Sequence, residues 1–395
     1  MKLIKSSVEI VKDSLKDHYY ICDIDKQILV NEDYTYEGHP VTAYTGEDAE
    51  ELLKKYLNAK DNTIDGKVMW KAHHTPSKED LLTNIYKQIE LAGRTCYKSE
   101  PKYNYFRKVK TADGSIHTEQ VSNTLDFEDS IAIAEREYAK GNTEFTRSSS
   151  TAKDFVDRMI KSGHTAMLEH GTVYLKFKNN ALDFESVWYD ESSGYPLNKF
   201  YENNKYSKVY FKPLGVNDKQ IEKNYTGDYY ITTNYRVIIE NDRLDDLQYL
   251  CEPTKYHEKR ITARFICDRG VSHEFVRHRV FSFAQESTRF CNYSKDKFGN
   301  ELTFIEPAWN MSTTMKQDFE DDLEKIEDTY LLYIEQEGLK PQEARAILPN
   351  ALKTELVITG FESDWKHFFK LRCAENAHPD ARKLALELQE KMNKL

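Results

Sequence analysis

Residues 268–293 read DRGVSHEFVRHRVFSFAQESTRFCNY, and the fold reading turns on this stretch. Asp268 precedes an apolar-periodic run in the manner of an N-cap, so a helix is expected from about Gly270. On such a helix Glu274, Arg277 and His278 stand at i, i+3 and i+4 and share a face. Arg277, His278 and Arg279 then concentrate positive charge within one turn. The helix is expected to yield near Ser282 to a loop whose alternation points Gln285, Ser287 and Arg289 the same way. Guanidinium groups hold phosphate through paired, charge-assisted hydrogen bonds. A hydroxyl and main-chain N–H groups complete an oxyanion shell. The cluster therefore suits a phosphate socket. The plainer alternative is a solvated basic helix paired with Glu274 and Glu286.

The whole chain sets the frame. It has 395 residues, 39% hydrophobic and 31% charged, with a formal net charge of −10. That length is one large domain or two ordinary ones, and the composition is that of a soluble globular protein. The charge excludes a general nucleic-acid coating protein, so any bound anion must be held by a local arginine cluster. Six scattered cysteines without a CxxC pair argue against a disulfide scaffold and a thiolate zinc site. No apolar run approaches a membrane span and no signal-peptide stretch opens the chain, so a cytoplasmic location and no membrane association are expected. GxG, HExxH, GxSxG and a Pro-Cys pair are all missing. A nucleotide or flavin would thus be bound without the Gly-rich turn, and pyrimidine chemistry would proceed without a Pro-Cys thiolate.

Outward from the central stretch, the pattern is mixed. Helices are expected at 48–57, 79–92 and 150–161, the last closed by Gly163. A linker is expected at 70–78, where His73 and His74 form an unconvincing metal pair. Residues 100–128 read as a loop around Asp113-Gly114. Strands are expected at 172–178, 229–240 and 261–267. Residues 181–228 show no clean period. The Tyr-rich run that begins there suits a structural role better than cover for a site. The last eighty residues read as helical: one long helix with Phe319, Leu323, Ile326, Tyr330 and Ile334, then one opened by Pro341. A third would be capped at Ser363-Asp364, and a fourth opened by Pro379.

Arg277-His278-Arg279, seven residues, then Ser287 is a spacing that resembles the signature of the flavin-dependent thymidylate synthases. Four further elements resemble that family in the same order: Gly93-Arg94-Thr95-Cys96-Tyr97, the His164 to His170 segment with Leu168-Glu169, Glu343-Ala344-Arg345 leading to Leu348-Pro349, and Phe368-Phe369-Lys370-Leu371-Arg372. Together they cover roughly residues 80 to 390.

The resemblance implies an α+β subunit with a twisted antiparallel sheet flanked by helices. Residues 79–395 would form the family's domain, with insertions near 100–150 and 181–228, and residues 1–78 an N-terminal extension. It implies reductive methylation of dUMP to dTMP, with methylenetetrahydrofolate as carbon donor and reduced FAD, recycled by NADPH, as hydride donor. It also implies a homotetramer with shared active sites, and no nucleic-acid partner. By the resemblance, Glu274, Arg277, Gln285, Ser287, Arg289 and Arg372 line the dUMP site. His164, Glu169, Arg277, His278, Arg279, Gln285, Arg345, His367 and Asn376 face FAD. Arg372, Arg345 and Ser287 act at the reacting centre. There Arg372 would offset charge developing on the uracil edge, and Ser287 would hydrogen-bond the nucleotide rather than attack it. No metal is implied. This sequence departs from the family pattern at Phe290, where Tyr is usual, at Gln285, where some relatives carry an acid, and at Ala166, where some carry a small hydroxyl residue. Two rival readings are a related flavin-dependent pyrimidine-nucleotide modifying enzyme and a non-enzymatic RNA-binding protein.

Overall fold

Alternation builds the central sheet. In the strand Arg260–Asp268, Ala263, Phe265 and Cys267 are buried on one face, while Thr262 and Arg264 take the other. In the computed structural model, its antiparallel neighbour Lys353–Phe361 sets Leu356 opposite Phe265 and Ile358 opposite Ala263. Ser282–Gln285 pairs with the far side of Lys353–Phe361, and Ser7–Ile10 pairs with Arg260–Asp268, both antiparallel. The structure describes residues 1–11, 18–23, 35–36, 39–45, 62–64, 67–72, 76–99, 103–110, 116–125, 145–146, 152–179, 197–213 and 227–395. The expected helix at 48–57 and the His73-His74 pair lie outside them.

The chain divides into two units. One holds residues 1–11, 88–99 and 163–395, and the other residues 12–87 and 100–162. In the first, helices Arg269–Phe275, Glu362–Arg372 and Pro379–Met392 cover the apolar face of the four-stranded sheet. Their Phe275, Trp365, Phe368, Ala381, Leu384, Ala385 and Leu388 join Phe265, Phe281, Leu356 and Ile358 in one core. Each fully buried Leu, Ile or Phe side chain among them contributes about 1.5–3 kcal/mol. Gly360 is required in that core, because a Cβ there would run into the Phe281 ring.

The opposite face of the same sheet is polar. Thr262, Arg264, Glu355, Thr359 and Ser282 share it by register. The end of the helix Lys78–Tyr97 and the short turn Thr165–His170 meet it through Ala92, Cys96 and Met167, which pack on Ala284 and Val357.

A second sheet of this unit places Gly227–Asn234 between Thr172–Asn179 and Lys208–Pro213, all antiparallel. Val173, Leu175 and Phe177 stand opposite Thr233, Ile231 and Tyr229. A third cluster gathers Leu302, Phe304, Leu323, Tyr330 and Leu352 under the long helix Thr313–Glu335. There Lys2–Ile4 pairs in parallel with Thr303–Ile305, and the Met1 ammonium meets Glu327 at 2.7 Å.

The second unit contains a five-stranded sheet in the order Thr35–Tyr36, His39–Thr45, His18–Asp23, Lys67–Ala72, Asn62–Ile64. It also has a three-stranded sheet in the order Phe145–Thr146, Tyr103–Lys110, Ile116–Leu125. Helix Ala152–Lys161 buries Phe155, Val156 and Met159.

The structure departs from several sequence expectations. Residues 70–72 finish a strand, with Trp70 opposite Tyr20, instead of opening a linker. Tyr103–Lys110 and Ile116–Leu125, rich in aromatic and β-branched residues, form an antiparallel strand pair where a loop was expected, and Asp113-Gly114 lies outside the described residues. The strand expected at 229–240 ends at Asn234, whose side chain accepts from the Val237 N–H at 3.0 Å and caps the helix Tyr235–Glu240. Ser363 and Asp364 lie inside the helix Glu362–Arg372. The Ser363 N–H instead donates to the Glu258 carboxylate, so a partner distant in sequence replaces a local cap. Among the described residues no helix is long and apolar enough to cross a membrane.

Candidate functional site

Asp268 does cap its helix: the carboxylate accepts from the Val271 N–H at 2.8 Å. The helix then stops at Phe275, earlier than the spacing suggested. The His278 N–H returns to the Phe275 carbonyl and the Phe281 N–H to that of His278, both at 3.1 Å. Burial explains the turn, since it seats the His278 ring 5.0 Å from that of Phe368 and close to Phe281. Residues after Phe281 leave as the strand Ser282–Gln285, so Gln285 is delivered by sheet pairing and not by a loop.

Arg372, at the end of its helix, reaches back to this turn. Its Nη1 donates to Glu274 Oε2 at 2.7 Å, its Nη2 to the Glu274 carbonyl, and its Nε to His278 Nε2 at 2.9 Å. A guanidinium has five N–H groups, so among the described residues two remain unused. Arg277 Nη1 stands 3.7 Å from Glu274 Oε1, with most of its side chain exposed. Glu274 titrates below its usual range, chiefly through the Arg372 hydrogen bond and, against burial, through Arg277.

His278 behaves otherwise. Burial and the nearby Arg372 and His367 charges lower its pKa to about 4 against the pull of Glu274. Its Nε2 accepts from Arg372, so the ring is neutral at pH 7. The positive focus read from Arg277, His278 and Arg279 is therefore built from arginines. His367 is exposed, its ring 6.4 Å from that of His278.

A second group forms around Ser287. The Ser287 N–H donates to the Cys96 carbonyl at 3.0 Å, and its Oγ accepts from the Arg289 N–H at 3.3 Å. Arg289 is exposed beside Phe290, whose ring lies 5.2 Å from Tyr97. The Tyr97 hydroxyl and His164 Nδ1 are 3.2 Å apart. Arg345 Nη1 donates to Thr288 Oγ1 at 3.3 Å. Gln285 links the two groups, since its Nε2 donates to Ser272 Oγ at 2.8 Å on the helix that carries Glu274.

Glu169 stands apart, paired with Arg236 at 2.6 Å. Arg279 and Asn376 are exposed and make no hydrogen bond or ion pair among the described residues. Nor does any such bond join Arg345 to Arg277 or Arg372 among them. Burial pushes the Cys96 thiol above the usual value, which disfavours its thiolate.

Motif reading missed the polar face beneath this site. Arg260 is half-buried and donates to the Glu169 carbonyl at 2.9 Å and to Ser282 Oγ at 3.3 Å. His170, 1% exposed, meets Thr359 Oγ1 at 2.8 Å. Glu286 and Glu355 are buried with Lys353 between them. The signal for the strand residues was period-two alternation of charge, Arg260 with Arg264 and Lys353 with Glu355, which resembles a solvated edge until the covering segments are known, while His170 lay in the His164 to His170 segment and Glu286 read as a partner of the basic helix.

Known proteins bear on the same segment. Residues 258–395 match the family model of the thymidylate synthase complementing protein. The flavin-dependent thymidylate synthase of Geobacter sulfurreducens is 32% identical over 120 residues, 30% of this chain and 50% of that protein. That of Pyrococcus furiosus is 34% identical over 133 residues, 32% of this chain and 52% of that protein. The chain thus spans about half the length of the curated relatives it matches. A crystal structure of the UMP/dUMP methylase PolB from Streptomyces cacaoi with 5-Br dUMP aligns at 18% identity over 34% of this chain and 66% of that one. Its TM-score of 0.30 is too low to bear on the fold. Over residues 258–395 the chain therefore matches the thymidylate synthase complementing protein family, the resemblance that its motifs carry.

Proposed function

We propose that this protein is a flavin-dependent thymidylate synthase, methylating dUMP to dTMP with methylenetetrahydrofolate as carbon donor and NADPH as reductant. The observation that carries the reading is the Arg372 guanidinium, tied to both Glu274 and His278, with two N–H groups that make no hydrogen bond among the described residues. It sets a fixed cation beside Arg277, and Gln285 reaches the same helix from the Ser287 segment. Ser287 and Arg289 then bind the nucleotide with Glu274, Arg277, Gln285 and Arg372. Arg372 stabilises charge that builds on the uracil edge during attack. Arg289 binds phosphate alike in ground and transition states, so it governs affinity.

The residue types fit FAD. Exposed Arg277 and Arg279 suit its diphosphate, and the exposed Phe290 beside Tyr97 and His164 suits a flat ring. Glu169, His278, Arg345, His367 and Asn376 would complete that surface. Bound reduced FAD supplies the hydride. The two residue groups within one chain favour a homotetramer whose active sites draw on neighbouring subunits. This reading carries the family's fold onto residues 79–395 and leaves 1–78 as an extension whose strand Ser7–Ile10 edges the four-stranded sheet and whose strand Lys2–Ile4 pairs with Thr303–Ile305. It places the protein in the cytoplasm, where free thiols such as Cys96, Cys251 and Cys373 persist.

The test is NADPH-driven tritium release from labelled dUMP with FAD and the folate present, and identification of the product. Release with dTMP formed is expected. No release, or a hydroxymethylated product, overturns the reading.

A further inference from the structure

Glu286 sits between Gln285 and Ser287, and strand alternation turns it to the opposite side, onto the polar face of the sheet. It is 2% exposed there and Glu355 is 3% exposed. Two buried carboxylates side by side are costly unless every oxygen is paired. Here each one is. Glu286 Oε2 meets Lys353 Nζ at 2.6 Å, and its Oε1 accepts from the Tyr293 hydroxyl at 3.1 Å. Glu355 Oε1 meets the same Lys353 Nζ at 3.0 Å and also Lys98, while its Oε2 meets Arg264 Nη2 at 2.8 Å. The Glu286 N–H also donates to the Glu355 carbonyl at 2.9 Å. Burial raises the Glu355 pKa, but Lys353, Lys98 and Arg264 outweigh it and bring the value to about 2.

The ladder is anchored at its far end. Lys98 ends the helix Lys78–Tyr97 with φ +48°, a left-handed conformation that glycine usually fills. A lysine there needs a compensating contact, and Glu355 supplies it. Two residues earlier, the Cys96 carbonyl accepts the Ser287 N–H. One helix end therefore holds the segment both by its main chain and through the buried charges.

We propose that Glu286 and Glu355, bridged by Lys353, are positioning residues that hold Ser287 and Arg289 against the phosphate of the nucleotide. This rests on the dUMP reading above. None of the three touches the substrate. They set the backbone from which Ser287 and Arg289 project, so they act on binding before they act on chemistry.

The test compares the full chain with Glu286→Gln, which keeps shape and loses charge. Amide exchange of the 285–293 peptide should quicken about tenfold, more than that of the Arg260–Asp268 strand in the same sheet. The KM for dUMP should rise about tenfold with kcat altered less than about threefold, as for one lost charge-assisted hydrogen bond. Lys353→Met should reproduce both changes, and Lys353→Arg should restore both. If Glu286→Gln does not fold, Tyr293→Phe, which removes only the hydroxyl on Glu286, carries the same comparison. Unchanged exchange in the folded variants, or a fall in kcat at constant KM, overturns the proposal. A wild-type protein that neither binds nor turns over dUMP overturns the nucleotide reading instead, and exchange alone then decides whether the ladder orders the segment.

Discussion

The Nε of Arg372 donates to Nε2 of His278 across 2.9 Å, joining the end of one helix to the turn that follows another. That bond requires His278 to present a lone pair, so the ring must be neutral with its proton on Nδ1. Burial acts in the same direction and holds the pKa near 4.

The ring resonances of His278 should therefore titrate near pH 4 and not near the ordinary 6.5, as followed by NMR. The same holds for buried His170, brought to about 3 by burial and by Arg260, with the Phe283 main chain opposing. Between pH 6.5 and these values the unfolded chain binds a proton that the folded chain refuses. Stability should thus fall as pH drops through that window, by about 2–3 kcal/mol for His278 alone at pH 4. Above pH 6.5 both states are neutral and neither histidine contributes. Urea midpoints at pH 7, 5 and 4 measure this; a flat profile would contradict it.

Arg289 is exposed and its guanidinium makes no ion pair among the described residues. Arg289→Ala should weaken dUMP binding by about 1.5–3 kcal/mol, the range for a hydrogen bond to a charged group, with little change in stability. Calorimetric titration with dUMP reads this directly. Equal affinity in the two proteins removes Arg289 from the socket.

Gly360 lies in the Lys353–Phe361 strand under Phe281, in a core with no room for a methyl group. Gly360→Ala should cost about 1–3 kcal/mol, the usual penalty of overpacking. Denaturant unfolding checks the figure, and a neutral or stabilised variant would mean that Phe281 can move aside.

Val8 is 3% exposed in the edge strand Ser7–Ile10. Val8→Ala should cost about 2 kcal/mol at the usual value per buried methylene. Removing residues 1–11 should cost more, since it also deletes the pairing with Arg260–Asp268 and the Met1–Glu327 ion pair. Thermal melts of the two proteins test this. A truncate that melts with the full chain would show that the sheet closes without its edge.

Local features of the sequence were enough to locate much of this molecule. Asp268 ahead of Val271 announced its cap, and Phe319 to Ile334 announced the long helix, because capping and apolar periodicity act over a few residues. The concentration of arginines in 277–289 was plain from the sequence alone. The charge state of His278 was not, since it depends on Phe368 and Arg372, roughly ninety residues later. Nor was the role of Glu286, which by its sequence neighbours alone passes for a surface acid. Only tertiary structure set it against Lys353 and Tyr293. Burial and long-range pairing decide protonation and positioning, and neither is written in the spacing of neighbouring residues.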